Sequence, residues 1–383
     1  MRSTITDAVT SAVHRYRATG ADLPFGDPLP WHGVSMEGYF WRLTDPITGR
    51  AVIALVGINT PQDGPTWATV GIAAEPEGLL ETAVVPDASA DGQRFGVRAG
   101  DSVVATDRVV RIDVGGLSVA FTVMSPRPWP HRLFGGSSVF QMVPGLNQYW
   151  HPWLLGGHAN GHVVLDGERV DIDGWQVYAE KNWGRGGFPE SWWWGQAQGF
   201  AEPEACVAFA GGRITAGPSI GGKPWSTEVT AVVVAIPDGP VIRLGDPLVS
   251  PVHTTARPGS WTIRGRSLSW GVEIDAEADP NESFVLPVPL VEEGRNTPGD
   301  LEHLVGDLHV RVTRFGREVW SGRTSLAALE IGARDLAEAE LSRRGGDPRP
   351  FRRTSRPPTP NPPTPNEGQD SHDRPPGSRP GRS

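Results

Sequence analysis

Hydrophobic and polar positions change rhythm near residue 30. Before it, Ile5, Ala8, Val9, Ala12, Val13 and Tyr16 recur at helical spacing and predict a short amphipathic helix over 5–17. After it, the chain breaks into short apolar runs punctuated by Gly, Pro, Asp and Asn, the pattern of strands and tight turns. Runs 38–43 and 51–58 flank Thr44-Asp-Pro-Ile-Thr-Gly49 and read as a hairpin, and 67–74, 94–99, 102–106, 109–114 and 117–123 follow. Runs 162–165 and 168–172 flank Asp166-Gly167, a two-residue hairpin signal. Further strands are predicted at 175–180, 192–200, 206–210, 229–236, 241–244, 259–264, 267–276, 307–314 and 318–325, with a last helix at 333–343. Strands at such regular spacing predict an all-β sandwich or barrel, with short N- and C-terminal helices.

Glu37-Gly-Tyr-Phe-Trp41 opens the first strand group, and Glu190-Ser-Trp-Trp-Trp194 echoes it ahead of a second group. Two similar β units in tandem are therefore expected. The division is an N-terminal helix and lead-in at 1–30, a first half at 31–150, a second at 151–342 and a tail at 343–383. The tail is rich in Pro and Arg with almost nothing apolar to bury, so it is expected to be disordered with polyproline II character.

Composition sharpens this picture. Gly (48) and Pro (37) are too many for a mainly helical chain of 383 residues. Cys206 is the single cysteine, which rules out an intramolecular disulfide and disfavours a cysteine-built metal site. The net charge is −9, which argues against a nucleic-acid partner. The tail holds nine Arg against four acids, a net +5, so the remainder carries −14. No apolar run approaches a membrane span or a signal peptide, and the reading is a soluble, cytoplasmic protein. Contact of the N-terminal helix or the basic tail with a membrane surface stays open. Packing and solvation respectively are the preferred readings, and no protein partner is indicated.

The chemistry concentrates in one segment. Seven of the 15 tryptophans lie between Trp150 and Trp194. On strand alternation Trp192, Trp194, Gln196 and Gln198 share one face, while Trp193, Gly195, Ala197 and Gly199 share a face with room for close approach. On the preceding strand Tyr178, Glu180 and Asn182 face one way, Lys181 and Trp183 the other. Single tryptophans are most simply core. A core has no need of Glu-Lys-Asn at its centre, because buried charges are costly unless paired. Lys181 is one of only two lysines in an arginine-using chain, which marks it for its compact, titratable ammonium. A Glu180–Lys181 surface pair remains the alternative.

Tyr178-Ala-Glu-Lys-Asn-Trp-Gly, Phe188-Pro and Trp192-Trp-Trp-Gly-Gln together resemble the signature of the tocopherol cyclase family. Glu37-Gly-Tyr-Phe-Trp-Arg, His162-Val-Val-Leu-Asp-Gly, Gly306-Asp-Leu-His-Val and Leu329-Glu-Ile-Gly resemble further blocks, so the likeness runs over roughly residues 30–333. It departs at Tyr39-Phe40, at Gly195-Gln196 and in the tail. The resemblance implies two lipocalin-like β halves, related to carotenoid hydratases. It also implies a cofactor-free, metal-free isomerase of vitamin E biosynthesis that closes a prenylated benzoquinol to a chromanol.

That chemistry protonates a trisubstituted alkene to a tertiary cation, which the phenol oxygen traps while losing its proton to a base. Aromatic faces stabilise the cation, and an apolar cavity keeps a carboxylic acid protonated. Glu180 and Glu37 are the expected acid or base, and Lys181 holds the quinol oxygen or orients a glutamate. Asn182 and Gln196 are expected to hydrogen-bond the quinol ring, and Tyr39, Trp41, Trp183, Trp192 and Trp194 to line the prenyl channel. A lipocalin-like carrier of a hydrophobic isoprenoid and an isoprenoid hydratase are the alternatives.

Two other motifs carry less. Gly217-Pro-Ser-Ile-Gly221 matches a nucleophile elbow but lacks the strand-to-helix context, and reads as a loop. His158-Ala-Asn-Gly-His162 has zinc-like spacing, but Asn160-Gly161 reads as a hairpin turn.

Overall fold

In the computed structural model, residues 2–130, 132–220 and 223–350 are described, and they build an all-β protein with a helix near each end of that stretch. Helix α1 (Arg2–Arg17) is followed by β1 (Met36–Asp45), β2 (Arg50–Asn59), β3 (Trp67–Glu75), β4 (Leu79–Pro86), β5 (Ala88–Ala90) and β6 (Gly96–Ala99). Next come β7 (Val103–Thr106), β8 (Val109–Val114), β9 (Leu117–Met124), β10 (Tyr149–Leu154), β11 (His158–Leu165) and β12 (Glu168–Gly184). These form one antiparallel 12-stranded sheet, ordered β4-β3-β2-β1-β12-β11-β9-β8-β7-β6-β5, with β10 also on β12. The sheet curls until β5 and β8 lie against β3, and its concave side encloses a core that includes Trp41, Val56, Val70, Phe121 and Val177.

The second half uses β13 (Trp192–Ala197), β14 (Cys206–Ile220), β15 (Lys223–Ala235), β16 (Val241–Leu244), β17 (Val252–Arg257) and β18 (Ser260–Arg266). It continues with β19 (Trp270–Glu277), β20 (Phe284–Leu290), β21 (Arg295–His303), β22 (Asp307–Arg314), β23 (Arg317–Thr324) and β24 (Ala327–Gly332), then α2 (Arg334–Arg343). A seven-stranded sheet, β16-β15-β14-β13-β24-β21-β20, packs on a five-stranded one, β17-β18-β19-β22-β23. Their shared core includes Phe209, Val232, Trp261, Ile274 and Val310. The other face of the seven-stranded sheet meets the outer face of the first sheet, through Tyr178 and Trp150 on one side and Trp194 and Val233 on the other.

The expected hairpins form where the turn chemistry demands. Asp166 and Gly167 both take positive φ, +50° and +82°, the conformation a two-residue turn requires. Runs 168–172 and 175–180 fuse into the single strand β12, which carries one extra residue, Gly174 at φ +67°, in a bulge opposite Ala159 and Asn160 of β11. That bulge corrects the turn expected at Asn160-Gly161, which lies within β11; a Cβ on Gly161 would meet the Ala120 carbonyl at 2.0 Å. Residues 217–220 belong to β14 rather than a loop, and Gly221 lies outside the described residues.

Strands β4, β5, β10, β17, β20, β21 and β24 are not marked by the pattern. Pro287, Pro289 and Pro298 obscured β20 and β21; β20 is an edge strand, where missing N–H donors are tolerated. Residues 151–184 pair within the first sheet, so the division set at 150/151 falls inside that sheet's chain. The head of the expected disordered tail is ordered. Arg344 is buried and donates to Ser283 Oγ at 2.8 Å, and Val285 N–H donates to the Pro348 carbonyl at 2.7 Å. Residues 351–383 of that tail lie outside the described residues. Helix α1 meets the body at its last turn, where Tyr16 donates to the Met142 carbonyl. Among the described residues, no helix is long and apolar enough to cross a membrane.

Arg42, fully buried on β1, ties the halves together. Its guanidinium donates to Thr44 Oγ1 at 2.6 Å and Gln196 Oε1 at 3.1 Å, and to the carbonyls of Leu304 at 2.9 Å and Leu326 at 2.7 Å. Burial lowers its pKa to about 10, still far above neutrality. Arg42→Met keeps the bulk and orphans three buried acceptors of the second half. It is expected to destabilise the fold by about 3–5 kcal/mol, read from the midpoint of urea unfolding.

Candidate functional site

A cleft opens where the outer face of the first sheet meets β13 and β24. It has two arms, of about 830 Å³ and 660 Å³, that share Glu180, Asn182, Phe188, Trp194 and Glu330. Strand alternation puts these residues there. On β12 and β1 the cross-strand neighbours Glu180 and Phe40, and then Asn182 and Gly38, face outward. On the second sheet Trp194 lies opposite Glu330, and Glu330 opposite Glu302.

Glu180 is the centre of the junction. Its Oε2 accepts from Tyr178 Oη at 2.6 Å and from the indoles of Trp150 and Trp194 at 2.8 Å each. Burial raises its pKa and the three donors oppose that rise, leaving it at about 6. Across the junction Glu330 accepts the indole N–H of Trp192. Burial, with the Glu180 charge adding to it, raises Glu330 to about 7 against the bonds from Trp192 and Glu302. Glu302 is fully buried with no donor partner beyond the Glu330 carboxyl, and Asp300 lies beside them. Burial and the neighbouring acids hold Asp300 and Glu302 well above the usual carboxylate range. This cluster therefore holds protons at neutral pH beside an indole-walled cleft. Among the described residues no His, Cys, Asp and Glu group is arranged to hold a metal ion.

The residues marked by the sequence divide between two places. Glu180, Asn182, Trp192 and Trp194 line the cleft. Asn182 lies over Gly38, where a Cβ would meet its Oδ1 at 1.9 Å. Gln196 shares the face of Trp194 but lies deeper, bonded to Arg42. Trp41 belongs to the core of the first sheet. Tyr39 borders the smaller arm, while its ring sits in that core against Phe95.

Glu37, Lys181 and Trp183 point away from the cleft and are not brought together with Glu180. Lys181 Nζ pairs with Glu37 at 2.7 Å, both side chains 0% exposed, and donates to the carbonyls of Pro28 and Pro30. Glu37 also accepts the N–H groups of His32 and Gly33. Burial alone would raise Glu37; the Lys181 ammonium and His32 outweigh it and bring it to about 2. The Trp183 ring is stacked between His32 at 4.6 Å and Tyr149 at 5.4 Å, and donates to the Gly20 carbonyl. These three clasp the lead-in loop to the sheet, a structural task that accounts for the unusual lysine. The room expected beside Gly195 is filled by Phe209, 2.3 Å from where its Cβ would stand.

Sequence reasoning missed Glu330, Glu302 and Asp300. Glu330 was visible as a lone carboxylate in the apolar run Ala327–Gly332, and the two others sat in a strand disguised by Pro298 and Gly299. Trp150 and Tyr178 were seen, but their convergence on Glu180 depends on sheet geometry.

A family model described as tocopherol cyclase-like matches residues 136–333, just over half of the chain. The match takes in Glu180 and the acid cluster and leaves the Glu37 block outside. A rice protein named "Probable tocopherol cyclase, chloroplastic" is 28% identical over 205 residues, covering 49% of this chain and 40% of the rice protein. A maize protein named "Tocopherol cyclase, chloroplastic" is 27% identical with the same coverage. The matched stretch thus spans two fifths of these relatives' length. A solved structure assigned as AttH from Nitrosomonas europaea aligns with TM-score 0.47 and 15% identity, over 82% of this chain and 98% of that one.

A raised carboxyl pKa stabilises the fold at low pH. That stability is fully present below about 4.5, the ordinary value, and is lost as pH rises through the folded value of about 7 for Glu330. Glu330→Gln removes the penalty. At pH 8 the variant is expected to be more stable than the parent by on the order of 2–3 kcal/mol, and at pH 4 the two should nearly coincide, in urea melts at both pH values.

Proposed function

We propose that this chain, which belongs to the tocopherol cyclase-like family, is an isomerase that closes a prenylated benzoquinol to a chromanol in the cleft between its sheets. One observation carries the reading: two carboxyls with upshifted pKa values, the buried Glu180 and the half-buried Glu330, face one indole-walled cavity. A carrier of a hydrophobic ligand has no use for such a pair, because burying carboxyls costs stability.

Glu330, with the higher pKa, is the proton donor. Its proton adds to the alkene carbon that leaves a tertiary cation, and the phenol oxygen then forms the new C–O bond. The phenolic proton passes to Glu180, whose Oε1 accepts none of the three bonds held by Oε2. Atoms balance within the substrate, and proton exchange between the acids and solvent resets the pair. The faces of Trp192 and Trp194 stabilise the cation through their quadrupoles. Burial and the Glu180 charge keep Glu330 protonated, against the bonds from Trp192 and Glu302. Arg42 and the Lys181–Glu37 clasp act on the frame alone.

Incubation with a phytylated methylbenzoquinol under reducing conditions is expected to give an isomer of unchanged mass and shifted retention. Unchanged quinol that co-purifies with the protein would identify a carrier, and a product heavier by one water a hydratase. The rate should follow a bell in pH with apparent limbs near 6, where the base ionises, and near 7, where the acid loses its proton. Glu330→Gln should lower kcat by about 10²–10⁴-fold and abolish the alkaline limb. Retained turnover with an intact alkaline limb would remove Glu330 from the mechanism.

A further inference from the structure

The two arms of the cleft differ in their walls. The larger is bounded by flat indoles, Trp150, Trp192 and Trp193, with Phe140 and Tyr149. The smaller lies over β1, β2 and β3, beneath β20, between Phe40, Leu55, Leu286 and Pro287. One cross-strand row makes its floor: Asn182, Gly38, Gly57 and Thr69, side by side on β12, β1, β2 and β3. Gly38 is required for the asparagine above it. Gly57 has no such cover, since a Cβ there meets nothing nearer than the Thr69 side chain at 3.6 Å. Glycine weakens a strand interior, and here neither positive φ nor close packing demands it. What its bareness leaves is open space running away from the acids.

We propose that the smaller arm holds the isoprenoid chain beyond the reacting double bond, and that the bare backbone at Gly57 sets the chain length the site accepts. The assignment rests on the cyclisation reading above and names its substrate class as quinols with a long chain. In such a substrate the reacting alkene lies next to the ring, so it must sit at the junction, where Glu180 and Glu330 meet. The ring stacks on the indole walls of the larger arm, as offset aromatic pairs prefer. The chain then leaves the junction by the other arm, over aliphatic and proline surfaces. Discrimination by pocket length is substantial, because a single methylene that fails to fit costs about 10–200-fold.

The test is a graded plug. Gly57→Ala, Gly57→Val and Gly57→Leu grow a side chain from the floor, and Val suits a strand. Each is assayed on methylbenzoquinols bearing a one-unit or a four-unit prenyl chain. With Gly57→Leu, kcat/KM for the long chain should fall at least about tenfold while the short chain stays within about twofold; the Ala and Val variants should fall between. Equal losses on both substrates, or none on either, overturn the assignment. Quenching of indole fluorescence by the oxidised quinones, which lack the phenol that closes the ring, gives the same comparison without turnover. If the parent protein binds both quinones and Gly57→Leu still binds the long one as well as the parent does, the chamber assignment fails and cyclisation stands. If the parent binds neither and converts neither quinol, both proposals fall.

Discussion

A carboxylate buried between two sheets is the constraint from which the cleft follows. Glu180 could not stay ionisable in that position without donors, and it takes them from both sides: Tyr178 and Trp150 from the first sheet, Trp194 from the second. Three bonds to one oxygen fix the spacing of the sheets at the junction and stand two indoles upright around it. With that spacing set, the β13–β24–β21 register brings Glu330 and Glu302 opposite the same point. Like charges so placed cannot all ionise, so the cluster holds protons at neutral pH. Arg42 holds the two halves together from deeper in the interface, and its charge opposes the rise of the Glu302 carboxyl.

The run from Glu180 to Trp183 works on two faces at once. Glu180 and Asn182 belong to the cleft, while Lys181 and Trp183 belong to the clasp that holds the lead-in loop over Glu37 and His32. A dense sequence motif invites one explanation for all its residues, but strand alternation divides it. The rare lysine did signal a need for a compact ammonium. The need is structural: a buried cation that satisfies a fully enclosed Glu37 and three carbonyls of a loop without secondary structure.

Much of this architecture was legible in advance, because β turns and alternation are local. The Asp166-Gly167 hairpin and the shared face of Trp192 and Trp194 required only neighbours along the chain. The proton-holding cluster was not legible. Asp300, Glu302 and Glu330 meet through register between strands, one of which carries Pro298 and Gly299 and reads as a turn. Alternation likewise could not tell an inward from an outward face, so Tyr39 and Trp41 read as channel walls although their rings fill the core of the first sheet.

The central claim is that a cleft carboxyl delivers its proton to carbon. Turnover of the phytylated quinol in deuterated water tests it most directly, because carboxyl protons exchange with solvent and the new C–H bond does not. The account predicts a chromanol carrying one non-exchangeable deuterium, on the ring carbon next to the quaternary centre. A chromanol formed without deuterium at that carbon would contradict it.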